Sequence, residues 1–345
     1  MAIKKSKQDK STESNTIGEN AIANRETEGL SQGQIILKRF FQHKPAVFSL
    51  FFLLALTLFV YSASGIHLGS EHNPINYQGW WHYTILDLPD TTLCGDTVGC
   101  PTADHPFGQD GIGRDFFALV TRGSEISLMV MVIIGFLGGF IGTVIGAVAG
   151  FFGGWVDAVL MRFTDFIITI PTILIGAVIG FRVGNLGVFV LALLLGVFAW
   201  TGLARLVRGE FLTLREREFV DAARVAGASN LRIIFKHILP NAIGVIIVSV
   251  TLALSGAILL ETALSYIGLG VQAPDVSLGL IINQYQDSFT YSPWLFWWPG
   301  AFIIAIALSV NFIGDGLRDA FDPRQRRRIK RKDFVLVAAK TRPGK

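Results

Sequence analysis

Long apolar runs are the feature that most constrains this chain. From Ile126 to Val156 there is no Asp, Glu, Lys or Arg, and a helix needs about 20 apolar residues to cross a bilayer core. Charged residues make up 16% of the sequence, against roughly 25% in soluble proteins. Because a backbone in lipid must satisfy its own hydrogen bonds, the pattern predicts an all-α membrane protein.

Six transmembrane helices are predicted. The first apolar run follows a polar segment too long for the leader of a secretory signal, so we interpret the run as an uncleaved anchor. The predicted segments are a partly disordered tail at 1–45, a first transmembrane helix at 46–66, a polar loop at 67–124, a core of five helices at 125–317 and a basic tail at 318–345. The core helices are expected at about 126–156, 158–181, 183–204, 241–267 and 294–314, with a polar loop at 205–240.

Basic residues indicate which side of the membrane each loop faces. All but four of the 30 Lys and Arg residues lie in 1–45, 205–240 and 318–345. Cytoplasmic loops are enriched in Lys and Arg, so both tails and the 205–240 loop are predicted to be cytoplasmic, and the 67–124 loop extracytoplasmic. The densest basic run, 324–332, is interpreted as a topology anchor on anionic lipid, and no nucleic-acid partner is expected.

Glycines recur every four residues in the second apolar run. Gly138, Gly142, Gly146 and Gly150 would share one helix face, and small residues let membrane helices approach closely. A phosphate-binding loop is excluded because the chain has no Gly-Lys-Ser or Gly-Lys-Thr sequence. The spacing therefore predicts a packing groove for a neighbouring helix.

A polar stretch between two apolar runs, Glu216–Pro240, is the candidate functional segment. It is rich in helix-forming residues, but its charges prevent it from crossing a bilayer. Gly227 interrupts it and Pro240 ends it. We predict two short helices joined at Gly227, lying at the membrane surface and presented to another protein.

Three charged residues lie inside the predicted spans, where a charge is costly and usually faces protein or water. Arg162 and Asp165 are three residues apart and could pair on one helix face near the cytoplasm. Glu261 could line a polar pathway, or it could form hydrogen bonds with a neighbouring helix.

The two cysteines, Cys94 and Cys100, lie in one polar loop. A zinc site needs about four ligands, so no metal site is predicted. On an oxidising side of the membrane the two could form a disulfide; the alternative is a pair of free thiols.

Catalytic motifs are absent from the sequence. It contains neither His-Glu-x-x-His nor Gly-x-Ser-x-Gly, so the chain is not expected to be an enzyme or to hold a cofactor. Any energy for work must then come from an ion gradient or from another chain.

The candidate segment resembles the EAA loop of permease subunits of bacterial ABC importers. The resemblance rests on Asp221-Ala-Ala-Arg-Val-Ala-Gly227 followed by Ile238-Leu-Pro240. Asp221 replaces the Glu of the family pattern, and His237 stands where Ile is expected. Further similarity to the dipeptide and oligopeptide branch lies in 105–115, 150–157, 263–270 and 314–323.

This resemblance implies a type I ABC importer permease fold in a bacterial cell membrane. It implies a second homologous permease subunit, two cytoplasmic ATPases that hold ATP and magnesium, and an extracytoplasmic substrate-binding protein. The residues implied to couple the chain to an ATPase are Asp221, Ala222, Ala223, Arg224, Gly227, Ala228, Ser229, Leu239 and Pro240.

Three alternatives remain open at this point. The same scaffold could import nickel or another small solute rather than peptides. A gradient-driven secondary transporter would show inverted repeats and broken helices but would leave the EAA-like stretch unexplained. A membrane-anchored enzyme or scaffold would need a catalytic set that we do not find.

Overall fold

The structure is a computed structural model that describes residues 32–70, 73–94, 97–183 and 186–322. Most of the predicted N-terminal tail and the basic run at 324–332 lie outside the described residues. The described residues divide into two compact units, one of residues 45–318 and one that contains residues 32–44 and 319–322.

The smaller unit contains helix α1, Gln32–Gln42. The Arg39 side chain donates a hydrogen bond to the Asp322 carbonyl at 3.2 Å, and His43 lies 3.4 Å from the Asp319 carboxylate. Both contacts join the two chain segments of this unit.

Apolar helices build the larger unit. By length and composition the described residues hold five helices that could cross a membrane, or six if one bent pair counts as a span. They are α2 (Lys44–Ser64), α3 (Phe116–Phe152), the bent pair α4 (Gly154–Ile168) and α5 (Thr172–Val183), α6 (Val188–Phe198) with α7 (Thr201–Arg215) as one span, α9 (Asn230–Tyr266) and α11 (Trp294–Phe321). Two shorter helices, α8 (Glu218–Val225) and α10 (Leu278–Tyr285), lie between spans.

Helix α3 begins at Phe116, before the predicted start at Ile126, so the 67–124 loop is shorter than expected. Asp115 caps the helix because its carboxylate accepts a hydrogen bond from the Ala118 amide at 2.8 Å. In the sequence, a charged residue marks the boundary of an apolar run. In the structure, Arg122 and Glu125 pair with each other at 2.6 Å inside the helix. The prediction missed this first part of α3 for that reason.

The third predicted span is two helices rather than one. Helices α4 and α5 meet at an angle of 75°, and Pro171 stands between them. Proline disfavours a helical conformation in the residue before it and lacks a backbone N–H. The helix therefore stops at Ile168 and restarts at Thr172.

Local structure in the loop before α3 includes two short antiparallel hairpins. Strand β1, Gly65–Ser70, pairs with β2, Asn73–Gln78, and β3, Leu93–Cys94, pairs with β4, Thr97–Val98. They are small additions to an otherwise helical architecture.

The glycine face of α3 packs against α7, which confirms the predicted groove. A Cβ atom added at Gly142 would lie 2.8 Å from the Trp200 carbonyl oxygen, and one added at Gly146 would lie 2.5 Å from that of Ala204. At Gly150 the nearest atom would be Phe211 Cβ, at 2.6 Å. The two helices are thus in backbone contact, and this contact fixes α7 at the start of the candidate segment.

Candidate coupling site

The candidate segment runs from the end of α7 into α9. Helix α7 extends to Arg215 and α9 begins at Asn230. The part of the segment outside these two helices is therefore 216–229, shorter than the predicted loop at 205–240. Helix α9 has 37 residues, more than the about 20 that a bilayer core requires, so it also has residues outside the core.

Helix α8 has one buried and one exposed face. Val220 is fully buried and Ala223 is nearly so, because positions three apart share a helix face. Both belong to an apolar cluster with Phe211 of α7 and with Ile233 and Ile238 of α9. This cluster fixes α8 to the two spans that flank it.

The exposed face of α8 carries the polar residues that the resemblance pointed to. Asp221, Ala222 and Arg224 are exposed, and Arg224 donates a hydrogen bond to the Asp221 carboxylate at 3.0 Å. An exposed pair of this kind stabilises a helix by only about 0.3–0.5 kcal/mol. Both side chains are accessible to a partner.

A tight turn at Gly227 reverses the chain after α8. Gly227 has φ of 78°, and its amide donates to the Arg224 carbonyl at 3.0 Å, while the Ala228 amide donates to that of Ala223. This is a glycine cap of the kind that ends many helices. Ser229 then caps α9, since its hydroxyl accepts from the Arg232 amide at 3.4 Å.

The second predicted helix is not separate, and Pro240 does not end it. Helix α9 runs without a break from Asn230 to Tyr266. Its segment Ile233–Ile238 is π-helical, and the Leu239 amide donates to Ile234, five residues back. The wider turn accommodates a proline ring that would otherwise clash with a carbonyl in the preceding turn.

The remaining predicted coupling residues lie around this turn. Ala228 and Leu239 are half-buried and pack against the apolar cluster. Ser229 and Pro240 are exposed. The structure thus brings the predicted set together on one short segment, with Ala223 on its buried side.

Three exposed apolar side chains accompany the polar ones and were missed from the sequence. Val225 is 91% exposed, Leu231 67% and Phe235 64%. These three residues are six and four positions apart and lie on both sides of the turn, so they do not form the periodic pattern of one helix face. The only signal in the sequence is that each is an apolar residue within a charged stretch. We define Val225, Leu231 and Phe235, together with Asp221 and Arg224, as the docking face.

Arg215 of α7 links the start of the candidate segment to α3. Arg215 donates to the carbonyl oxygens of Gly150 and Phe151, at 3.2 and 3.3 Å. These carbonyls belong to the last turn of α3, which has no further helical donors and carries partial negative charge. These hydrogen bonds therefore join the start of the candidate segment to the end of α3.

Asp165 pairs with Arg205 of α7, whereas its spacing in the sequence allowed a pair with Arg162. Arg205 donates to the Asp165 carboxylate, and Arg208 makes two hydrogen bonds to Asp157. The i, i+3 spacing allowed a pair within α4, but α7 offers guanidinium groups across the helix interface. These contacts link α4 to α7.

Glu261 is buried between helices. It is 1% exposed, and its carboxylate accepts hydrogen bonds from Ser127 at 2.9 Å and Ser265 at 2.7 Å. Of the two interpretations, the hydrogen-bonding one describes its present contacts.

A polar network on the predicted outer side joins the loop before α3 to α10. Tyr285 donates to the Asp110 carboxylate at 2.8 Å, and Arg114 donates to both Asp110 and Tyr285 at 2.7 Å. Burial and the neighbouring Asp110 raise the pKa of Tyr285 above its ordinary range. The tyrosine is therefore a neutral donor at physiological pH.

Cys100 is buried and disulfide-bonded, and Cys94 is the only other cysteine in the sequence. The Cys94 side chain lies outside the described residues. In the part of the chain that the structure describes, no group of three or more His, Cys, Asp or Glu side chains could hold a metal ion.

Comparisons with known proteins agree on one family. The family described as "Binding-protein-dependent transport system inner membrane component" matches residues 142–327. A second, "N-terminal TM domain of oligopeptide transport permease C", matches residues 31–78.

Curated relatives are similar over most of their length. The oligopeptide transport system permease protein OppC of Mycobacterium tuberculosis is 36% identical over 301 residues, which cover 87% of this chain and 97% of the relative. OppC of Haemophilus influenzae is 36% identical over 307 residues, covering 88% and 93%. A putative peptide permease of Brucella ovis is 37% identical over 295 residues, covering 83% and 89%.

A solved structure has the same fold. A chain of the MetNI methionine ABC transporter, in an inward-facing conformation, matches with a TM-score of 0.50 and 22% identity. The match covers 59% of this chain and 96% of the other.

Proposed function

Because this chain belongs to the binding-protein-dependent transport system inner membrane component family, we propose that it is the membrane-spanning permease subunit of an ABC importer that takes up oligopeptides. It is a multi-pass protein of the inner membrane and is not itself an enzyme. The choice of oligopeptides as cargo rests on the names of the curated relatives and on the match of its N-terminal part.

The docking face is the observation that supports coupling to an ATPase. A surface with three exposed apolar side chains and an accessible Asp221–Arg224 pair would be costly to leave in water and fits a groove on another protein. Such contacts resemble those of protein interfaces, where an apolar centre is surrounded by polar residues.

Motion of α8 would reach the membrane through two rigid connections. One is the short turn into α9, a continuous helix of 37 residues and so about 55 Å long. The other is the Arg215 link to the end of α3. When the ATPases close on ATP, displacement of α8 would tilt both spans and change the side to which the pathway opens.

The assembly that we propose has further members. A second, homologous permease would complete the pathway, and two cytoplasmic ATPases would bind ATP and magnesium. An extracytoplasmic binding protein would deliver the peptide. Both termini of the chain would be cytoplasmic, in line with the positions of its basic residues.

Charge reversal on the docking face tests the proposal. Asp221→Arg should abolish co-purification of the ATPases with the tagged chain and stop uptake of a radiolabelled oligopeptide, because it replaces the paired carboxylate by a second cation beside Arg224. Asp104→Arg is the matched control, since Asp104 is exposed on the predicted outer side, and it should leave both measurements unchanged. Normal co-purification and uptake in Asp221→Arg would refute ATPase docking at this face.

A further inference from the structure

A cavity of about 310 Å³ lies where α2 ends and α3 begins. Its lining comes from the segment between Trp81 and Leu86, the end of α2 and the first turns of α3. The lining residues that matter here are Ser64, Trp81, Tyr83, Leu86, Ala118 and Arg122. The walls are mostly apolar or aromatic, and Arg122 is the cation among these lining residues.

Arg122 is held from one side and is open to the cavity on the other. Its Nη1 donates to Glu125 at 2.6 Å, and Glu125 also accepts from the Ser64 hydroxyl at 3.0 Å. A guanidinium has five N–H donors, and among the hydrogen bonds between described residues Arg122 makes this one. Its remaining donors can therefore bind an anion in the cavity.

The residues around the cavity are of the types found at the boundary between lipid head groups and acyl chains. Trp80 is 58% exposed and Leu86 83% exposed, and tryptophan is enriched at membrane interfaces. The uncharged part of α3 begins at Ile126, just beyond Glu125. An exposed leucine at the rim of a cavity beside a membrane helix is favourable against lipid and costly in water.

We propose that this cavity binds a phospholipid from the leaflet on the side of the 67–115 segment. The Arg122 guanidinium would bind the phosphate through two parallel hydrogen bonds, the geometry that guanidinium and phosphate favour. The glycerol and upper acyl carbons would pack on Trp81, Ala118 and Leu86. The Glu125 and Ser64 contacts orient the guanidinium. This inference does not depend on the transported cargo.

The chemistry of the walls favours a lipid over a free anion. Inorganic phosphate would leave the apolar surface of Trp81 and Ala118 unmatched, whereas a phospholipid satisfies both the cation and the apolar walls. A lipid at this position would also fasten α2 to α3 from the membrane side.

Native mass spectrometry of the full chain in detergent tests the site. Dioleoylphosphatidylglycerol is the probe, compared with dioleoylglycerol, which lacks the phosphate, and with inorganic phosphate. Arg122→Gln should weaken binding of the phospholipid by about tenfold, the loss expected for a charged hydrogen bond. Arg182→Gln, a change at an exposed arginine at the end of α5 on the same predicted side, should leave it unchanged.

Two further variants keep the test decisive if Arg122→Gln destabilises the fold. Arg122→Gln combined with Glu125→Gln removes both charges and should also weaken binding. Ala118→Leu fills the cavity, keeps both charges and should weaken binding as well. Wild-type affinity in the double variant and in Ala118→Leu would overturn the proposal. Equal binding of dioleoylglycerol would overturn the role of the phosphate, and equally strong competition by inorganic phosphate would overturn the lipid as ligand.

Discussion

Among single residues, Gly227 sets the geometry of the turn between α8 and α9. Its φ of 78° strains any residue with a side chain, and a Cβ added there would meet no heavy atom within 4 Å, so the requirement is purely conformational. Gly227→Ala should cost about 1–2 kcal/mol locally and lower peptide-stimulated ATP hydrolysis by the assembled complex. Gly227→Asn should retain more activity, because asparagine adopts this conformation more readily.

The control for this change is Gly209→Ala. Gly209 lies within α7, and a Cβ there would also meet nothing within 4 Å, but its backbone has no positive φ. ATP hydrolysis should stay normal in this variant. Equal activity of Gly227→Ala and the wild type would show that the turn does not need glycine.

Because of Tyr285, the stability contributed by the outer network should depend on pH in the alkaline range. Its pKa is raised by burial and by Asp110, so the folded state holds the phenol proton more tightly than the unfolded state does. The resulting stabilisation is fully present below the unfolded pKa and is lost as pH rises through the folded pKa. Between about pH 9 and pH 11, a window around the ordinary tyrosine pKa, thermal stability should fall less steeply with pH in Tyr285→Phe than in the wild type. Parallel pH profiles would contradict this role.

The disulfide can be tested by thiol labelling. If Cys94 and Cys100 are bridged, intact protein should resist a maleimide reagent until a reductant is added, because Cys100 is disulfide-bonded and the sequence offers no other partner. Labelling of both cysteines without reductant would exclude the bridge. Cys94→Ser should free Cys100 and serves as the positive control.

The resemblance to the EAA loop predicted which residues couple to an ATPase, and the interruption at Gly227 was predicted from the residue types of the stretch; the surroundings of these residues were predicted only in part. The exposure of Val225 and Phe235 depends on which face of each helix the apolar cluster covers. That choice is made by tertiary packing against α7, which no local pattern encodes.

Among the helices, the α3–α7 contact is sensitive to added volume. Gly146→Val should destabilise the protein by about 1–3 kcal/mol, the usual cost of overpacking, because a Cβ there would lie 2.5 Å from a backbone oxygen and 2.7 Å from Val207. Thermal unfolding followed by size-exclusion chromatography in detergent measures the shift. Gly202→Ala, in the open part of α7, is the matched control, and equal midpoints would refute close packing.

Helix positions were predictable where hydropathy alone decides them, and their ends were not. The spans of α2, α3, α9 and α11 follow from apolar runs. Ion pairs such as Arg122–Glu125 allow a helix to continue through charges, which moved the start of α3. The bend at Pro171 and the passage of α9 through Pro240 depend on how backbone hydrogen bonds are rearranged around each proline.

For the molecule as a whole, the membrane architecture constrains the function more than any one residue does. The permease fold supplies apolar spans and the short exposed segment that we propose docks an ATPase, while the chain contains no catalytic motif of the types sought. The cargo is less well determined by the sequence, because recognition of peptides would involve the partner permease and the binding protein. The fold class was therefore within reach of the sequence, and the cavity beside α2, which we propose binds a lipid, was not.

Photocrosslinking in membranes of the producing cell tests the central claim, that the docking face binds an ATPase. A benzophenone amino acid replaces Val225, which is 91% exposed on the docking face, or Leu86, which is 83% exposed on the predicted outer side. Irradiation should crosslink the Val225 variant, and not the Leu86 variant, to the ATP-binding subunit. Absence of that crosslink at Val225 in cells with normal uptake, or an equal crosslink at Leu86, would contradict the account.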